Sequence, residues 1–173
     1  MRKEVRFAGF GGQGVILSAF ILGRAVSVHT PMHATMTQSY GPESRGGSCE
    51  ADVVVGDTEI DTPMVTHPDI LVLLSQEAAT KHMDQARAAS LVLSDVDLVH
   101  LDEDVAKKTL QLPFTRTADG LGRRIVANVV MLGAFTKASQ VVPREAMEAA
   151  LKETVKASTR ELNMKAFDAG ARL

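Results

Sequence analysis

The sequence predicts an α/β fold, a three-layer α/β/α sandwich on a mixed, mainly parallel sheet. Three observations carry this. Short apolar runs of strand length alternate with segments whose apolar residues recur at helical spacing. Strands alternating with helices place helices on both faces of one sheet. The glycine-rich link from Tyr40 to Ala51 is too short for a helical crossover, which takes a dozen or more residues, so the strands near 51–60 run antiparallel to their neighbours.

Each element has a local reason. Val5 to Phe10 is an apolar run ending in glycines and reads as a buried first strand. Gly14 to Val28 carries Val15, Ala19, Leu22 and Val26 at helical spacing, and Pro31 ends it. A second strand is expected over His33–Gln38. Tyr40 to Ser48 is turn chemistry, with three glycines, a proline and two serines. Ala51–Val55 is β-branched, and the Gly56-Asp57 pair predicts a tight hairpin into Thr58–Ile60. Ile70–Leu74 is a buried strand, followed by a helix over 76–89 with Ser75 as N-cap. Ser90–Ser94 is a further strand. Residues 96–117 read poorly; short strands are expected near Val99 and over Gln111–Phe114. A strongly apolar helix spans Leu121–Lys137. Pro143 suits the first turn of a helix over 143–157. Ser158–Glu161 fits a capping box opening a last helix, which Gly170 should stop.

Composition narrows the function classes. The 173 residues have the length of a single domain, 1–173. A net charge of −2 gives no basic footprint for nucleic acid, and one Tyr with no Trp weakens aromatic stacking on single strands. Neither a signal peptide nor a run long enough to span a membrane is legible, so a cytoplasmic location is expected. The single cysteine, Cys49, is expected in the core; one thiol supplies neither a disulfide nor the four thiolates of an iron–sulfur cluster. The five histidines lack metal-ligand spacing, so no metal site and no catalytic residue is expected in this chain.

Two glycine-rich segments could carry chemistry. Gly9-Phe10-Gly11-Gly12-Gln13-Gly14 matches G-x-G-x-x-G directly after a strand and before a helix. Glycines there allow positive φ and close backbone approach, and helix N-terminal amides attract anions. A dinucleotide site would add a carboxylate about 20 residues on to hold the ribose. The chain there reads Gln38-Ser39-Tyr40, with no acid before Glu43. Three readings stay open at this point: a dinucleotide-binding oxidoreductase, a phosphate-bearing ligand shared with another chain, and a turn that only packs. The second segment, Ser39-Tyr40-Gly41-Pro42-Glu43-Ser44-Arg45-Gly46-Gly47, should sit beside the first if their strands are neighbours. Its Arg45 could bind phosphate or carboxylate bidentately.

Taken together, GFGGQGV (9–15), QSYGPESRGG (38–47), ADVVV (51–55), HPDILVLLSQEA (67–78), RIVANVVMLGA (124–134) and NMKAFDAG (163–170) span nearly the whole chain. As a set they resemble the gamma subunit of the 2-oxoacid:ferredoxin oxidoreductases, most closely the 2-oxoglutarate type. The resemblance implies an accessory subunit of a complex that converts a 2-oxoacid and coenzyme A to acyl-CoA, carbon dioxide and reduced acceptor. It implies that thiamine diphosphate, Mg2+ and iron–sulfur clusters lie on companion alpha and beta subunits, with a ferredoxin-like delta subunit in some complexes and ferredoxin as acceptor. Pyruvate, branched-chain and indole 2-oxoacid enzymes share the same blocks. Carried over by position, Gly11, Gly12, Gln13, Gly14, Ser39, Tyr40, Gly41, Glu43, Arg45, Gly46 and Gly47 form the edge facing the catalytic subunits or coenzyme A. Away from its partners such a chain should expose an apolar patch and self-associate.

Overall fold

The computed structural model describes residues 1–42 and 46–173. The elements are, in order, β1 (Arg2–Phe10), α1 (Val15–His29), β2 (His33–Tyr40), β3 (Ser48–Gly56), β4 (Ile70–Leu73), α2 (Gln76–Lys81), α3 (Met83–Ala88), β5 (Leu91–Asp95), α4 (Glu103–Ala106), β6 (Thr109–Leu112), α5 (Phe114–Gly120), α6 (Ala127–Ser139), α7 (Arg144–Thr154) and α8 (Arg160–Ala171). The strands form one sheet in the order β2-β3-β1-β4-β5-β6. β1, β4, β5 and β6 run parallel, while β3 is antiparallel to both β1 and β2. The mixed, mainly parallel sheet is therefore as expected.

Strand alternation sends side chains to two cores. Val5, Phe7, Val53, Ile70, Val72 and Leu93 face the larger one, beneath α1 and α5 to α8. Ala8, Leu71, Leu73 and Val92 face the smaller one, beneath α2 to α4. Phe7 and Phe135 meet at 5.4 Å between ring centroids and tie β1 to α6. α6 and α8 cross where both have glycine. A Cβ at Gly133 would strike the backbone of Phe167, and one at Gly170 the carbonyl of Val130. The apolar block 124–134 and the NMKAFDAG block thus share one close crossing.

Several expected elements differ. No strand forms at 58–60, because both edges of β3 are already paired, with β1 and with β2. Gly56-Asp57 instead meets the chain start, where Asp57 N–H donates to the Met1 carbonyl at 3.2 Å. The antiparallel hairpin exists one link earlier, between β2 and β3. The helix expected over 76–89 breaks at His82 into α2 and α3, while Ser75 caps α2 as expected, its Oγ accepting from Ala78 N–H at 3.2 Å. No strand forms at Val99, and β6 ends at Leu112. The helix expected from Leu121 starts at Ala127: Gly122, at φ 85°, turns the chain out of α5 into a short 3-10 turn, Arg124–Val126. The capping box does not form. Residues 157–159 make a 3-10 turn, and Glu161 pairs with Lys165 at 2.6 Å rather than reaching back. Gly170 does not stop α8, which runs to Ala171; it is the crossing point with α6.

Candidate functional site

The parallel strands end along one edge of the sheet, and the first glycine segment closes β1 there. Gly12 and Gly14 hold φ of 96° and 74°, values that side chains with a Cβ rarely adopt. The turn folds back on itself, with Gln13 N–H donating to the Phe10 carbonyl at 3.1 Å. The Gln13 side chain is spent inside the loop. Its Oε1 accepts from Phe10 N–H and its Nε2 donates to the Leu74 carbonyl, both at 2.7 Å. Gln13 therefore bolts the β1 loop to the end of β4.

The second segment lies against the first. Gly11 N–H donates to the Gly47 carbonyl at 2.9 Å, and Gly41 N–H donates to the Ser48 carbonyl at 2.7 Å. The two loops meet although β1 and β2 are not neighbours: β3 lies between them and carries the second loop to the first. A dinucleotide-binding unit would put β2 beside β1. Here the end of β2 is displaced by one strand, about 4.8 Å further away. Ser39 and Tyr40 are exposed at that end. Glu43 and Arg45 lie outside the described residues.

On the other side of the first loop is a cleft of about 460 Å³ at the ends of β1, β4 and β5. Gly12 and Gln13 form one wall, Leu74 and Phe114 are at its base, and Leu98 and Ile125 form an apolar rim. Ile125 is 78% exposed. Asp95 is buried at the wall. Its Oδ2 accepts from Thr115 N–H at 2.8 Å and from the Thr115 hydroxyl at 2.6 Å, and its Oδ1 from Asp97 N–H at 3.0 Å. Its charge is thus held on the first turn of α5. Asn128, in the first turn of α6, packs on Gly14, where a Cβ would overlap its amide. Sequence reasoning missed Asp95 and Asn128 as wall residues. The available signal was Asn128 itself, a lone amide in the apolar run from Ile125 to Phe135.

Beneath the β3 end of the loops is a charged cluster. Arg6 donates to both oxygens of Asp52, at 2.8 and 2.7 Å, and to the Val65 carbonyl at 2.8 Å. Glu50, next to Cys49, contacts the Lys81 ammonium and has His82 Nε2 at 3.1 Å. At that distance His82 Nε2 makes no hydrogen bond of good geometry, and the contact is ionic only when the ring is protonated. The His82 ring, and then Lys81, hold the Glu50 carboxyl at about 2. Burial pushes the Cys49 thiol up, and Glu50 adds to that, so Cys49 is a core residue rather than a reactive thiolate.

With this geometry in view, the relatives of the chain are informative. Residues 4–173 match the family model of pyruvate ferredoxin/flavodoxin oxidoreductase. The 2-oxoglutarate synthase subunit KorC of Methanocaldococcus jannaschii is 47% identical over 173 residues, covering 98% of this chain and 92% of its own. The solved gamma subunit of a keto/oxoacid ferredoxin oxidoreductase from Geobacter sulfurreducens superposes with a TM-score of 0.86 at 36% identity, covering 99% of this chain and 95% of its own. A 2-oxoglutarate:ferredoxin oxidoreductase from Magnetococcus marinus shares the fold at a TM-score of 0.83 and 20% identity. The match covers 99% of this chain and 30% of that longer one. The chain belongs to the pyruvate ferredoxin/flavodoxin oxidoreductase family, as a gamma-type subunit of a 2-oxoacid oxidoreductase.

Proposed function

We propose that residues 1–173 form a single gamma-type domain that completes a cytoplasmic 2-oxoglutarate:ferredoxin oxidoreductase. The complex converts 2-oxoglutarate and coenzyme A to succinyl-CoA, carbon dioxide and reduced ferredoxin. The substrate assignment rests on the full-length likeness to subunits named for 2-oxoglutarate synthase. In this reading the alpha and beta subunits, with a ferredoxin-like delta subunit where present, carry thiamine diphosphate, Mg2+ and the iron–sulfur clusters. The residues of this chain do not fit a cluster: its one cysteine, Cys49, is buried, and four thiolates are required.

One observation carries the role of the chain, the Gly11–Gly47 contact that joins the two glycine loops into one edge. Backbone this free of side chains lets a ligand or a neighbouring subunit approach closely. We read Gly11, Gly12, Gly14, Ser39, Tyr40, Gly41, Glu43, Arg45, Gly46 and Gly47 as the edge facing the catalytic subunits and coenzyme A. Gln13 is the clip that sets this edge. Arg45→Ala in the assembled complex tests the ligand half. The expected outcome is normal assembly with the KM for coenzyme A raised on the order of tenfold or more, the size of one lost charge-assisted hydrogen bond. An unchanged KM in an intact complex contradicts it, and loss of assembly makes the loop a packing element only.

A further inference from the structure

The two edges of the sheet are built differently. β6, at one edge, is four residues long, follows Lys107-Lys108 and ends at Pro113. Shortness, lysine and proline are common protections against edge-to-edge pairing. β2, at the other edge, has none of them. It runs for eight residues, His33–Tyr40, without a Lys, Arg, Asp, Glu or Pro, and no bulge breaks its register with β3.

One contact fixes the hydrogen-bond phase of β2. Gly41 N–H donates to the Ser48 carbonyl, so Gly41 and every second residue before it turn their backbone groups towards β3. Ala34, Met36, Gln38 and Tyr40 therefore turn theirs outwards, where no backbone partner meets them among the described residues. Such a row is a template for one more extended strand.

β2 is complementary to itself. A two-fold axis normal to the sheet keeps each face on its own side, and facing residues share a face, so the axis passes at a residue. About Thr37, Met36 faces Gln38 and Ala34 faces Tyr40. All four outward residues are then used, with about eight backbone hydrogen bonds, two for each facing pair. About Met36, Tyr40 would face Met32, outside the strand. No like charges oppose one another in the Thr37 register, where His33 meets Gly41.

The helix layer supplies a second observation. Ala34 and Met36 pack against the larger core on the α1 side, and Ser27 of α1 borders a hollow with Ala34 and Thr35. Ile16, Phe20 and Gly23 are on the same side of α1 as Ser27, by helical spacing. Phe20 is 48% exposed. Gly23 is in mid-helix, where glycine is unfavourable, yet its missing Cβ would meet nothing. Gly133 and Gly170 mark the close crossing of α6 and α8, whereas Gly23 has no such neighbour among the described residues. It suits the approach of a second α1.

We propose that β2 pairs antiparallel with β2 of a second copy of this chain, about a two-fold axis at Thr37. The two sheets become one, and the two α1 helices lie side by side above the joint with Ile16 and Phe20 between them. The inference is independent of the 2-oxoglutarate assignment, and the failure of either leaves the other intact.

The test is sedimentation equilibrium of the full chain, with three variants. Gln38→Pro removes one outward N–H and leaves the ladder to β3 whole. Thr37→Cys places two thiols at the axis, in a facing pair whose Cα atoms are about 4.5 Å apart, within disulfide reach. Thr35→Cys is the control, since its two copies are offset by about 13 Å along the strands. The expected result is a dimer whose dissociation constant rises about tenfold or more in Gln38→Pro. Oxidised glutathione should cross-link Thr37→Cys into a covalent dimer and leave Thr35→Cys largely monomeric under denaturing electrophoresis. If Gln38→Pro does not fold, the cross-linking comparison decides. A wild-type chain that stays monomeric at the highest attainable concentration overturns the proposal. So does a dimer unaffected by a folded Gln38→Pro variant, or equal cross-linking of the two cysteine variants.

Discussion

A methyl group at Gly14 has no space to occupy. The backbone there is left-handed, at φ 74°, and the Cβ would fall on the Asn128 amide. Gly14→Ala should therefore destabilise the chain by about 1–3 kcal/mol, read from the midpoint of urea unfolding at constant slope. Gly12 has a similar φ of 96° but open space around it, so it isolates the backbone part of that cost. A loss at Gly14 no larger than at Gly12 would contradict the packing account. The G-x-G-x-x-G spacing already placed these glycines between strand and helix. It did not show that Gln13 spends both ends of its amide within the scaffold, because one partner, the Leu74 carbonyl, is 61 residues away and meets it only once β4 pairs with β1. The same is true of Gly170. As a sequence signal it reads as a helix stop, and only the crossing with α6 gives it its role.

At the scale of elements, β3 organises the edge. Its two antiparallel pairings exclude a strand at 58–60 and bring the second glycine loop to the first. Loop length made the antiparallel turn legible in advance, but the pairing partner was not, because a Gly-Asp signal is local and edge availability is not. The base of β3 is pinned by charge. With Glu50 held at about 2 by His82 and Lys81, the folded state favours the ionised carboxylate. The unfolded group titrates near 4.5, so this stabilisation is complete above that value and is lost as pH falls from about 4.5 through about 2. Wild type should lose stability across that window, and Glu50→Gln should start lower at pH 7 and lose less across it. Parallel stability profiles of the two proteins, from denaturant unfolding at each pH, would contradict the assignment. The region after β5 was the least legible part. Its apolar periodicity hides a break at Gly122, and α5 is anchored by Asp95, twenty residues before Thr115. The cleft is built from that same region, which is why the two loops were legible in the sequence and the cleft beside them was not.

At the scale of the whole molecule, no helix among the described residues is long and apolar enough to cross a membrane. The exposed apolar residues gather in part on the outer side of α1, at Leu17, Phe20 and Val28, and in part at the cleft rim, at Leu98 and Ile125. Surfaces of this kind suit a chain that works inside a larger assembly. The most direct measurement is a tagged pull-down from the native host, assayed for coenzyme A-dependent reduction of a low-potential dye with 2-oxoglutarate and with pyruvate in parallel. The account predicts co-purification of larger thiamine- and iron–sulfur-bearing subunits and activity on 2-oxoglutarate in preference to pyruvate. A chain recovered alone with a bound dinucleotide, or a complex active on pyruvate and not on 2-oxoglutarate, would contradict it.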